Sequence, residues 1–373
     1  MAFTFSGFAT NGSFNLVCPA PPPSPPYLWS WGYNDYGSLG LGNTTWYSSP
    51  KQVGSLTTWT SVEAGGFYSV GLRSDGTVWT WGRNTFGALG LGDTANRSSP
   101  VQVGALTTWA SIKALNRTVL AIKTNGTLWS WGNDDYGAAA NGSQVSSPVQ
   151  IGALTNWSKI AGTGIHSAAT KTDGTMWVWG YGYQGQLGDG SGNGINYSPV
   201  QVGSDTNWAT PCAAYFSTYG IKTDGTLWAW GGNYSGQLGL GNTTLRRSPV
   251  QVGALTNWSK ISAAGSYIFG IKTNGTLWSW GYNAYGTLGL GDTTNRNSPV
   301  QVGALTTWAT VSVSDGAIAI KTDGTMWSTG YNIRGGLGLG DTTNRSSLVQ
   351  VGSSTGWRDV SIGDTFTLAL GTT

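Results

Sequence analysis

The chain has 373 residues, of which only 9% are charged, and a net charge of +3. So little charge, with basic residues spread rather than gathered, excludes a groove for nucleic acid, and no apolar run approaches the length of a membrane-spanning helix. One histidine, one glutamate and two cysteines are too few for a metal site or for catalysis between groups of opposed pKa, so the expectation is no metal, no cofactor and no enzymatic activity.

In chain order, residues 1–26 come first and carry no charge. Phe3 and Phe5 sit at strand spacing and, with Phe8 and Phe14, make four of the nine phenylalanines. Pro19–Pro26, interrupted by Ala20 and Ser24, reads as a stiff polyproline-type spacer. The expectation is an extended N-terminal docking arm that adds as a strand to other protein subunits or sister copies; the alternative is an arm folded over its own domain. No Lys or Arg precedes Lys51, so the charged region of a secretory signal is missing. Cys18 and Cys212 either pair or stand free, because spacing alone sets no distance between them.

From residue 27 to residue 373 one phrase repeats seven times. Its first tryptophans are Trp29, Trp79, Trp129, Trp177, Trp228, Trp278 and Trp327. A second series is Trp59, Trp109, Trp157, Trp208, Trp258, Trp308 and Trp357, and a third is Trp31, Trp81, Trp131, Trp179, Trp230 and Trp280, with Thr329 in the last copy. A period of about 50 residues means one supersecondary unit stacked on copies of itself. In residues 59–104, Trp59–Ala64 opens a strand, Val70–Arg73 is a second, and Ser74-Asp75-Gly76-Thr77 reads as a two-residue Asp-Gly hairpin turn. Val78–Trp81 is a third strand with both tryptophans on one face, and Ser99–Val103 a short outer strand. Four antiparallel strands, seven times over, predict an all-β, seven-bladed β-propeller. The chain enters its repeat in mid-hairpin, at Tyr27–Trp31, and ends in the complementary half, Phe366–Gly371. The N- and C-terminal strands are therefore expected to pair and close the ring, which hides two sheet edges.

Trp31-Gly32-Tyr33-Asn34-Asp35-Tyr36-Gly37-Ser38-Leu39-Gly40, with its Ser-Pro-x-x-Val and Asp-Gly-Thr-x-Trp companions, resembles the regulator of chromosome condensation (RCC1) repeat over residues 27–373. The resemblance implies a seven-bladed propeller and a binding role. One branch of that family exchanges nucleotide on a small GTPase through an inserted wedge, for which the constant period leaves no room; another inhibits β-lactamases through its loop face. The family's Gly-x-x-His-Ser is met only at Gly162–Ser167, and the equivalents of His166 are read as Tyr68, Thr118, Ser217, Tyr267, Gly316 and Thr365.

His166 is read as structural. Glu63 aligns with Lys113, Ala161, Cys212, Ser262, Ser312 and Ser361, a varied slot read as exposed, and Arg246-Arg247 as a solvated loop pair. Asp134-Asp135 is read as solvated, with glycosidase-type acid–base work as its alternative. The positions that vary between the repeating glycines are more telling: Tyr33, Tyr36, Arg83, Phe86, Tyr136, Tyr181, Tyr183, Tyr234, Tyr282, Tyr285, Tyr331 and Arg334. Equivalent loops of a propeller share one face, so these form a candidate binding surface of rigid rings and adaptable polar groups. The plainer alternative is that Asn caps the turn and Tyr packs on the next blade. Trp46 and Tyr47, where other copies carry Asn-Arg, and the irregular loop 188–197 are further contact candidates.

The functional expectation is a binding or structural propeller, held by its arm to a larger assembly. The best fit is the surface of a phage virion, or an otherwise extracellular place, with a host protein or glycan as ligand. A soluble inhibitor of the β-lactamase-inhibiting type and a carbohydrate-active enzyme are the alternatives.

Overall fold

The second strand of each repeat, small or apolar at nearly every position, is buried along almost its whole length, while the outer strand stays largely open, and the structure, a computed structural model, describes residues 25–192 and 194–372. The expected arm residues Phe3, Phe5, Phe8 and Phe14, together with Cys18, lie outside the described residues. There are seven four-stranded antiparallel sheets. Blade 1 holds Trp59–Ala64, Tyr68–Arg73, Val78–Gly82 and Arg97–Gln102. Blades 2 to 6 repeat it from Trp109, Trp157, Trp208, Trp258 and Trp308, and blade 7 joins Trp357–Ile362 and Phe366–Gly371 to Tyr27–Gly32 and Tyr47–Gln52. Closure is as expected: Tyr27 lies opposite Gly371 and Gly32 opposite Phe366. The second strand of each blade packs against the first strand of the next, round to blade 1. Among the described residues no helix is long and apolar enough to cross a membrane.

The hairpin turn departs from expectation. Gly76 N–H donates to the Arg73 carbonyl (2.9 Å) and Arg73 N–H to the Thr77 carbonyl (3.0 Å), so the loop has three residues and ends on Gly76 at φ +76°. A two-residue turn of the expected type needs positive φ at both central residues, and Asp75 does not adopt it. Its carboxylate instead accepts from the Thr77 amide (3.0 Å) and hydroxyl (2.6 Å), and that hydroxyl accepts from Trp79 Nε1 (2.9 Å). The same relay recurs at Asn125, Asp173, Asp224, Asn274 and Asp323. Above it, Lys123 Nζ sits 3.4 Å from the Trp129 ring centroid and 4.9 Å from that of Trp109, a cation–π clamp repeated by Lys171, Lys222, Lys272 and Lys321.

Blades are stapled by the third tryptophan series. Trp31, Trp81, Trp131, Trp179, Trp230 and Trp280 are wholly buried, and each indole N–H donates to a carbonyl of the preceding blade at 2.8 to 3.0 Å. Blade 6 is the exception: Thr329 Oγ1 reaches the Gly286 carbonyl at 3.2 Å. Leu348, standing where other copies have proline, shares with Thr329 the space beside Gly289 that an indole fills elsewhere.

Two measurements test this packing. Thr329→Trp alone should clash with Leu348, whereas Thr329→Trp with Leu348→Pro restores the ordinary seam, giving a coupling energy above about 1 kcal/mol in a four-protein urea cycle; additive effects would show that Leu348 does not fill the gap. Ala140 adopts φ 54°, the sole non-glycine residue at positive φ among the described residues, at the position Gly40 holds in blade 7. Ala140→Gly should therefore raise stability by about 1 kcal/mol, and an unchanged or lowered denaturation midpoint would refute the strain.

Candidate functional site

The first strand of each blade runs from the hairpin end towards the opposite face, and the third runs the same way. The connections after both therefore emerge together, on what is called here the loop face. The long connection is pinned from below by its asparagine. Asn34 Oδ1 accepts from Leu39 N–H (2.9 Å), while Nδ2 donates to the carbonyls of Asn43 and Thr45 (both 3.0 Å). Asn84, Asn233, Asn283 and Asn332 repeat the device and are buried like it. The plainer reading of the asparagines therefore holds: their amides are used inside the protein. Asp134 takes this place in blade 2, and it is not solvated as expected. It is buried, accepting the amides of Ala139 (2.7 Å), Asn141 (3.1 Å) and Gly142 (2.7 Å), and burial still raises its pKa against those bonds.

The tyrosines and arginines between these anchors lie on the loop face in contact with one another. Arg334 lies over Tyr33, which meets Tyr36, Trp46 and Phe67; Arg83 lies over Tyr36 and Phe86, and Arg117 over Phe86. Tyr136 meets Tyr181, which meets Tyr183 and Phe216. Tyr282 meets Tyr285, which meets Tyr331. The Tyr234 hydroxyl donates to Gln184. Trp46 Nε1 donates to Asp35 at 2.6 Å. Tyr47 opens the outer strand of blade 7 under Lys51, and no ring contact ties it to this group. Arg246-Arg247 likewise begins an outer strand, Arg246–Gln251, rather than sitting in a loop.

The first strands line a central channel of about 710 Å³. The Glu63 slot faces this channel instead of open solvent, and Lys113 Nζ meets the Glu63 carboxylate at 2.8 Å. Desolvation lowers the Lys113 pKa, but the charge and hydrogen bond of Glu63, with Cys212 and Asp359 adding, together outweigh it and the net shift is upward. Cys212 lies in the same wall, its thiol pushed up to about 11 by burial. At the loop-face mouth burial, then Asp315, lifts Asp364 to about 7, opposed by the Asn116 amide at 2.9 Å and by Arg334. Burial also raises Asp359 to about 6, with Glu63 adding and Lys113 and Lys260 opposing. His166 is fully buried beside Thr218 (2.8 Å), and burial drops its pKa to about 3, so it is a neutral packing residue. Strand register places Phe366, not Thr365, at its equivalent in blade 7.

Sequence reasoning missed Phe67, Arg117, Tyr215, Phe216, Asp315 and Asp364. All sit in the short connection after the first strand, which the same topology brings to the loop face. Among the described residues no three His, Cys, Asp or Glu side chains gather to hold a metal.

A family model described as the Regulator of chromosome condensation (RCC1) repeat matches residues 27–72, 75–122, 125–170, 224–271, 274–318 and 323–370, and a second RCC1 repeat model matches residues 59–88. No curated protein matches the sequence. Among solved structures, Prp20p of Saccharomyces cerevisiae, studied for its binding to Gsp1p and histones, aligns with TM-score 0.83 and 19% identity over 93% of this chain and 92% of its own. Human WBSCR16 aligns with TM-score 0.83 and 20% identity over 93% and 99%. The ectodomain of the Physcomitrella patens receptor kinase CR4 aligns at TM-score 0.52 and 15% identity, over 84% and 71%. At these identities the likeness is one of fold.

Asp359 and Asp364, the carboxylates raised furthest among the described residues, make stability depend on pH. Each holds its proton more tightly folded than unfolded, where Asp titrates near about 3.9. The folded chain therefore binds more protons above that value, and stability falls as pH rises, through about 6 for Asp359 and about 7 for Asp364. Asp364→Asn should flatten the upper part of this fall by on the order of 1 kcal/mol in urea melts across the range; a slope identical to that of the parent chain would show that Asp364 titrates normally.

Proposed function

The chain belongs to the Regulator of chromosome condensation (RCC1) repeat family, and on that premise we propose a non-catalytic binding role in which the loop face makes the contact and the N-terminal arm supplies attachment. The observation that carries this reading is the surface itself. The recurring Asn, Leu and Trp side chains hold the ring together from inside, while the varied positions put Tyr, Phe and Arg outward in contact on one face. Such side chains bring large contact area at low entropic cost. The groups that chemistry would need are used otherwise: His166 is neutral and packed, and Asp134 is bonded to backbone amides. A propeller of the same build, Prp20p, was studied for its binding to Gsp1p and histones, which supports a macromolecular partner here.

The arm's part in this reading rests on sequence. Residues 1–26 are uncharged, carry Phe3, Phe5, Phe8 and Phe14, and lead into a proline-rich spacer, a composition suited to adding a strand to other protein subunits. Chain composition this low in charge, with near-identical repeats and an arm of that kind, supports the surface of a phage virion as the setting.

Light-scattering mass of the full-length chain and of residues 27–373, measured side by side, tests the attachment. The full-length chain should associate while the shortened one stays monomeric. Equal monomeric masses would remove the arm as a device for joining copies and leave a free-standing binding propeller.

A further inference from the structure

The loop face divides into two sectors of different chemistry. Around blades 6, 7, 1 and 2 the ring faces are already covered. Arg334 lies 4.8 Å from the centroid of Tyr33, Arg83 4.9 Å from that of Tyr36, and Arg117 4.4 Å from that of Phe86. Across blades 2, 3 and 4 the situation is reversed. Tyr181 meets Tyr136 edge to face at 6.1 Å and, tilted, both Tyr183 at 5.1 Å and Phe216 at 6.4 Å, and Phe216 meets Tyr215 edge to face at 4.6 Å, so the five rings form one linked group. Tyr234 joins them through the Gln184 side chain. None of these six rings has a lysine or arginine over it among the described residues, and four are widely open: Tyr136 at 44%, Tyr183 at 54%, Tyr215 at 47% and Tyr234 at 65% exposed.

The repeat itself changes here. The stretch 171–223, which contributes Tyr181, Tyr183, Tyr215 and Phe216, falls between two segments matched by the repeat model. It also contains the irregular glycine-rich loop. The ring has therefore kept its blades in this stretch while its surface left the common pattern.

We propose that this tyrosine sector is a binding site for an uncharged oligosaccharide, a reading that rests on the loop face being the contact face. Bare ring faces carry the negative side of the aromatic quadrupole, which attracts the weakly positive C–H faces of a pyranose. The phenol and amide groups between the rings hydrogen-bond its hydroxyls. A charged glycan would need cations over the rings it stacks on, as in the other sector; here Arg247 lies beside Gly185 and Gly192 and over none of the six rings. A protein partner would want an apolar interface centre; among the described residues the exposed leucines, Leu56, Leu106, Leu154, Leu255 and Leu305, sit on the opposite face, in the connections between blades, and the exposed Ile333 belongs to blade 6, outside this sector. A series spanning three blades fits several linked sugar units and not a single one.

The test uses the full-length chain on a printed array carrying both uncharged and acidic glycans, followed by affinity electrophoresis in gels containing whichever uncharged structure binds. The expected result is binding to uncharged glycans that survives high salt. Tyr183→Ala and Tyr234→Ala should each weaken it by about tenfold or more, while Leu106→Ala, at an exposed position on the opposite face, leaves it within about twofold. Both tyrosines are exposed, so their variants should melt with the parent chain. Binding to no uncharged glycan, or binding to acidic glycans alone that salt abolishes, would overturn the proposal. Loss of glycan binding in Arg83→Ala but in neither tyrosine variant would refute the tyrosine sector and leave the loop face standing; no effect from any of these three loop-face variants would refute both.

Discussion

Everything else in this molecule depends on the indole N–H that six of the seven blades send into the blade before them. A sheet with apolar side chains on both faces must pack against a neighbour on each side, and the wedge between two twisted blades needs a large flat side chain to fill it. Tryptophan does both jobs: its ring occupies the wedge and its single donor finds a carbonyl across the seam. A buried donor left without a partner would cost about 1–3 kcal/mol, so each bond fixes the angle and depth of its blade. Trp31 makes the same bond to Gly336, across the place where the two ends of the propeller meet.

That frame leaves the loop face free to vary. Asparagine amides, or Asp134 in their place, hold the long connections of six blades from beneath, with Gly182 at this position in blade 3, and glycines at positive φ let the backbone turn where a Cβ would strike the neighbouring blade. With shape settled below, the side chains above can differ from copy to copy while still packing against the next blade, as Tyr136 does on Tyr181 and Tyr285 on Tyr331. The result is a rigid surface whose chemistry is written one blade at a time, with guanidinium-covered rings on one side and open tyrosines on the other. The seam between blades 5 and 6 shows how far the rule bends: a threonine and a leucine together stand in for one tryptophan.

The channel follows a different logic. Its wall comes from seven copies of one strand, so a single charged substitution there has neighbours at once on both sides. Glu63 finds Lys113 one blade away, while Asp359 feels Glu63, Lys113 and Lys260 together. Crowding around an axis, with partial loss of water, raises the carboxylates that remain.

The sequence alone determined the architecture. A fixed spacing of tryptophans, a period-2 alternation and a glycine in every turn are local signals, and repetition multiplied them seven times, so the blade count, strand assignments and terminal closure were all legible. It also marked which loop positions vary. Tertiary structure decided what those positions touch, because contacts between Tyr136 and Tyr181, or Arg117 and Phe86, join residues on different strands or blades whose separation no spacing rule reports. It decided as well that Asp134 and His166 are buried while Glu63 faces a channel. Burial is set by the packing of neighbouring blades, and each of these residues sits in a local sequence much like that of its exposed or apolar counterparts. The turn differed for a related reason: Asp-Gly suits both a two-residue and a three-residue loop, and the threonine that follows settled the choice by bonding back to the aspartate.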